Sequence, residues 1–235
     1  ELTRYRLLRG SLDGQPGSWV RLTESANGLE GAIWDGHDFY AVTRYDRVAP
    51  FLTTPLNAAP GQTVVYRLSD AIDLLPQDFC ALGSDAVGTR KQTALDQYQR
   101  LVSNLEGTAE AQVTREIEIA LIADSDFAAD FHDDPTAAML ARLNIVEGIF
   151  SEQLGLLILA TDIRVMPPAG DPFTSTDATA LLGQVGKYRE ATPAVRARGL
   201  AHLMTGKNLD GTTAGIAYLD AACGVDRGVS LSSHG

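Results

Sequence analysis

Two apolar runs constrain this chain more than any other feature. Residues 117–123 and 156–165 are dense in Ile, Leu, Val and Ala, and they stop at Asp124 and at Pro167-Pro168. Such runs read as buried strands. A helix fills the space between them. Asp133-Asp134-Pro135 opens it, because carboxylates complement the helix dipole and proline suits the first turn. Met139, Leu143, Val146 and Phe150 recur at helical spacing as its inner face, and Gly155 can cap its end. Strand, helix, strand implies a parallel pair with a right-handed crossover. The α/β rhythm continues with a helix over 175–191, whose stripe is Leu181, Leu182, Val185 and Tyr188. Strands are then expected at 200–204, 215–222 and 229–231.

The first third reads differently. Residues 19–22, 29–34, 39–42 and 63–68 are short β-prone runs separated by Asn27-Gly28, Asp35-Gly36 and Pro60-Gly61, which are turn signals. They predict an antiparallel β-meander. Residues 83–113 are polar, with only Leu95, Tyr98, Leu101, Val102 and Leu105 as a stripe. They read as a linker with a weak helix, of the kind where cleavage concentrates. The chain thus divides into a β domain at 1–82, a linker at 83–113 and an α/β part at 114–235.

Among 235 residues the formal charge is −11, and the basic residues are scattered. That argues against a nucleic-acid partner. Apolar content of 45% suits a globular protein, and no run approaches the length of a membrane span. Because the chain begins at Glu1, it is expected to be a piece of a longer product. The four histidines, His37, His132, His202 and His234, form no H-E-x-x-H, and there is no P-loop or G-x-S-x-G. His202 falls in a strand and reads as a structural side chain. The acidic stretch at Asp124-Ser125-Asp126 and 130–134 reads as helix capping, with a calcium site as the alternative.

Family resemblance enters through longer stretches. Arg115-Glu116-Ile117-Glu118-Ile119-Ala120-Leu121-Ile122-Ala123-Asp124 resembles the opening strand of reprolysin-like metzincin zinc proteases, the ADAM and snake-venom type. Residues 143–150 are similar to their first helix and residues 156–163 to their second strand. Ala201-His202-Leu203-Met204-Thr205-Gly206, Leu209-Asp210-Gly211, Gly215-Ile216-Ala217-Tyr218-Leu219 and Cys223 resemble their third and edge strands. Arg9-Gly10, Gly17-Ser18, residues 28–33 and Phe39-Tyr40 resemble their propeptides. The resemblance implies an α+β or α/β architecture: a pro-like meander, then a mixed, mostly parallel sheet with an antiparallel edge strand.

It also implies a secreted zinc metalloendopeptidase in zymogen-like form, acting on polypeptide substrates, with the propeptide-like domain packed on the peptidase part. The family's zinc helix is absent, so the zinc ligands are expected outside this chain, which alone should be inactive. A catalytically dead peptide-binding or inhibitory module is the alternative. Gly215, Ile216, Ala217, Tyr218 and Leu219 would form the substrate-binding edge strand, pairing with an extended peptide through free backbone groups; on periodicity alone they are an ordinary strand. Cys80 would be the thiolate that silences the zinc, or else a buried thiol or a disulfide partner of Cys223. The family counterpart of Cys223 pairs beyond the zinc helix. Glu118 falls where venom-type members bind calcium, with Gly199 in place of its acidic partner.

Overall fold

A computed structural model describes residues 4–71, 80–82, 115–211 and 213–234, with only the backbone described at 80–82. The expected linker and weak helix at 83–113 lie outside these residues. The fold is α+β, built on two sheets. The first holds β1 (Arg6–Gly10), β2 (Trp19–Ser25), β3 (Gly28–Trp34), β4 (Phe39–Arg44) and β5 (Thr63–Arg67), in that order and antiparallel throughout. β1 is an addition to the expected meander. Its sequence, RLLRG, carries no alternation because most of the strand is exposed.

The second sheet contains β6 (Cys80–Leu82), β7 (Arg115–Ala123), β8 (Leu156–Val165), β9 (Leu200–Thr205), β10 (Gly215–Ala217) and β11 (Val229–Ser233). Its order is β6-β10-β11-β9-β7-β8, and every pair is parallel except β10 with β11. Mostly parallel pairing explains the continuous apolar runs, since helices cover both faces. β6 belongs to this sheet, so residues 80–82 leave the first domain to which the sequence assigned them. The strand expected at 215–222 ends at Ala217, where the chain enters turns with Asp220 and Cys223 at positive φ.

Three helices matter for the site: α1 (Ser125–Asp130), α2 (Pro135–Leu154) and α3 (Ala178–Ala191). α3 packs on one face of the second sheet, with Leu181, Leu182 and Val185 buried against Ile122, Leu203 and Leu231. α1 and α2 cover the other face, with Phe127, Met139 and Leu143 against Leu121 and Met204. Asp134 caps α2 by accepting from the Ala137 N–H at 3.0 Å, and Gly155 closes it in the left-handed conformation.

The inner face expected for α2 is only partly right. Met139 and Leu143 are buried, but Val146 is 40% exposed. The reason is that α2 has a second buried side, which packs on β2. Asn144, Glu147, Gly148 and Ser151 are buried there. Asn144 Nδ2 donates to the Leu22 carbonyl at 3.0 Å. Arg21 Nε donates to Glu147 at 3.0 Å, and its Nη2 donates to Ser151 Oγ at 3.0 Å and to Glu152 at 3.2 Å. Gly148 lets β2 come this close: a Cβ there would lie 2.6 Å from Arg21 Cγ and 3.2 Å from the Trp19 ring.

Candidate functional site

β10 is short, and both of its edges are in use. Gly215, Ile216 and Ala217 pair antiparallel with Ser232, Leu231 and Ser230 of β11. On the outer side they pair parallel with Cys80, Ala81 and Leu82 of β6. The outer side of β10 is therefore held by the chain itself. Ile216 is buried in the core under α3. Tyr218 and Leu219, grouped with the strand from sequence, lie beyond it. Tyr218 packs on that same core beneath the Arg227 guanidinium, 5.3 Å from its ring centroid, and Leu219 is 40% exposed.

Alternation along the strands gives the sheet beside β10 a polar face. His202 Nδ1 lies 2.8 Å from Ser230 Oγ, and Nε2 lies 3.1 Å from Ser232 Oγ. By register, Ser230 stands opposite Ala217 and Ser232 opposite Gly215. Burial pushes the imidazole pKa down to about 4, so the ring is neutral at pH 7 and bridges two hydroxyls. That suits a structural histidine with both nitrogens satisfied.

The loop after β10 is anchored by a residue that sequence reasoning missed. Arg189 of α3, 1% exposed, donates to the carbonyls of Gly224 and Val225 at 3.1 Å, Val195 at 3.3 Å, and Arg198 at 2.7 Å. A lone arginine near a helix end carries no sequence signal for this role, because its acceptors are backbone carbonyls scattered along the chain.

Cys80 opens β6, directly opposite Gly215; its side chain lies outside the described residues. Cys223 is an exposed free thiol among the described residues. Glu118 is paired with Arg198. An acidic side chain at Gly199 has no room, since a Cβ would lie 2.8 Å from Ile117 Cγ1 and 3.2 Å from the Glu118 carbonyl. The acidic stretch works mainly as caps: Asp124 accepts from the Phe127 N–H at 2.8 Å and from Gly206 N–H at 3.1 Å, and it also binds the Thr205 hydroxyl.

Among the described residues no three His, Cys, Asp or Glu side chains gather as a metal ion would require. The side chains described here therefore do not fit a zinc centre. Among the described residues no helix is long and apolar enough to cross a membrane.

Comparison with known proteins gives a distant metalloproteinase relationship. The chain is 23% identical over 236 aligned positions to Disintegrin and metalloproteinase domain-containing protein 11 of Mus musculus. The match covers 96% of this chain and 29% of that protein, so the chain spans less than a third of its relative's length. No protein-family model matches. Among solved structures, metalloproteinase-II from Bacteroides fragilis aligns over 97% of this chain and 70% of its own, at 11% identity and a TM-score of 0.35. A chaperone–substrate complex aligns over 54% of this chain and 21% of its own, at 10% identity and the same TM-score. Structural likeness at that level supports no functional argument.

Proposed function

We propose that this chain is the inhibitory N-terminal region and substrate-strand portion of a secreted, reprolysin-like zinc metalloendopeptidase, in a zymogen-like arrangement. The distant relationship to a disintegrin and metalloproteinase protein supports the peptidase class. The observation that carries the zymogen reading is the parallel pairing of Cys80–Leu82 with Gly215–Ala217. A peptide substrate needs an exposed row of backbone N–H and C=O groups on which to add a strand. Here residues 80–82 take up that row. The blocking strand is only three residues long, so it is suited to displacement. No step of peptide hydrolysis is assigned to the described residues.

Loosening β6 tests this. Ala81→Pro removes a backbone donor and fixes φ, which weakens pairing in a strand. The variant is expected to bind a fluorescent extended peptide about tenfold tighter than the parent, a gain of about 1.4 kcal/mol, read by anisotropy. Failure of both proteins to bind any extended peptide overturns the reading.

A second reading, a peptide-binding module without catalysis, rests on the same covered strand. The natural translation product containing this chain separates the two. Chelator-sensitive peptide cleavage supports the peptidase, and peptide binding without cleavage supports the module.

A further inference from the structure

A cavity of about 690 Å³ opens between the first sheet and α2, away from β10. That volume is in the range of small-molecule sites. Val42, Val48, Phe51 and Ile145 give it apolar walls. Two guanidiniums lie near the Phe131 ring, Arg142 at 4.4 Å and Arg47 at 5.5 Å from its centroid.

The two cations are placed differently. Arg47 is paired with Glu30. Arg142 has no carboxylate within ion-pair distance among the described residues. Its Nη1 donates to the Ala138 carbonyl at 3.1 Å, and the residue lines the cavity. Asp130, the other carboxylate in the lining, lies 3.3 Å from His234 Nε2, an imidazole that burial and the nearby Arg142 hold towards its neutral form. The contrast with Arg189 is instructive: it too lacks a carboxylate, but carbonyls surround its guanidinium. Burial and the neighbouring Arg47 both lower the Arg142 pKa, and Glu30 opposes them. A partly buried guanidinium without a directly paired carboxylate is costly, and the cavity offers space for one.

We propose that this cavity binds a carboxylate-bearing ligand with an apolar body, the carboxylate received by Arg142 and the apolar part lying against Val42, Val48 and Phe51. The planar guanidinium fork matches a carboxylate in two-point geometry. Arg142 belongs to α2, while Val42 lies on β4 and Val48 and Phe51 on the segment that follows it, so an occupant touches both halves of the molecule and holds them together. The site is separate from β10 and does not depend on the peptidase reading.

Octanoate is the probe, added to the 235-residue chain and followed by calorimetry and thermal melting. Saturable binding with a raised Tm is expected. Arg142→Gln is expected to weaken binding by about tenfold or more, while its melting without octanoate stays equal or rises, because an uncompensated charge has gone. Thr43→Trp narrows the cavity from the sheet side and is expected to block binding with Arg142 intact, which keeps the test decisive if Arg142→Gln fails to fold. Inorganic phosphate, having no apolar body, is expected to bind about tenfold more weakly than octanoate. Absence of saturable octanoate binding, undiminished binding in both variants, or equal affinity for phosphate overturns the proposal.

Discussion

The Arg21 guanidinium is buried in the contact between the first sheet and α2, with side-chain exposure of 5% against 6% for Glu147. Deleting one member of such a pair leaves the other charge stranded. Arg21→Ala is therefore expected to cost about 3–5 kcal/mol, read as a lower denaturant midpoint. Replacing both, as Arg21→Met with Glu147→Leu, is expected to cost far less than the sum of the single changes. His202 makes a prediction of opposite chemistry. Its pKa is depressed on folding, to about 4, whereas the unfolded imidazole titrates near 6.5. The unfolded chain takes up the proton first as pH falls. The stabilising contribution is thus whole above about pH 6.5 and is lost between there and pH 4, on the order of 2–3 kcal/mol. Urea titrations across that range should show the loss, and His202→Gln should flatten it. Neither role was legible residue by residue. The sequence reading of His202 went no further than a structural side chain, because its serine partners sit on a strand 28 and 30 positions away. Arg21 lies in a run whose partner helix starts over a hundred residues later, and no local pattern links them.

At the scale of elements, α2 shows where periodicity succeeds and where it fails. Asp134-Pro135, Gly155 and the Met139–Leu143 spacing placed the helix correctly, since caps and stripes are local. Its second buried side was hidden because it is lined by Asn144, Glu147, Gly148 and Ser151, residue types that normally mark a wet surface. The short strands β1, β6 and β10 were the least readable. One is mostly exposed, and the other two are three residues each, too brief for alternation to register. Two substitutions test the helix. Asp134→Ala removes the α2 cap and the acceptor for the Tyr5 hydroxyl, 2.8 Å away. A loss of about 2 kcal/mol is expected, again from denaturant unfolding. Gly148→Val drives a branched side chain into Arg21 and Trp19 and is expected to cost about 1–3 kcal/mol, with a change in near-UV dichroism from displacement of the indole.

Across the whole molecule, α2 is shared between the two sheets, so neither half is expected to unfold first. Both tryptophans, Trp19 and Trp34, lie in the first sheet, and the two longest described helices, α2 and α3, both pack on the second. Fluorescence and far-UV dichroism therefore watch different halves. Coincident urea transitions are expected from the two probes; a separate, earlier fluorescence change would show that the first sheet detaches alone. The strand–helix–strand order and the mostly parallel sheet were readable because long apolar runs leave few alternatives. The closure of that sheet by a strand from the far end of the other domain was not, because three residues carry it.

The strand on β10 also decides what kind of contest any incoming peptide enters. Cys80–Leu82 belongs to the same polypeptide as the strand it covers. Its hold is set by an effective concentration within one molecule, and dilution does not loosen it. A free peptide must outcompete that local excess. Cutting the chain converts the contest into an ordinary bimolecular one, in which three residues of pairing are a weak claim.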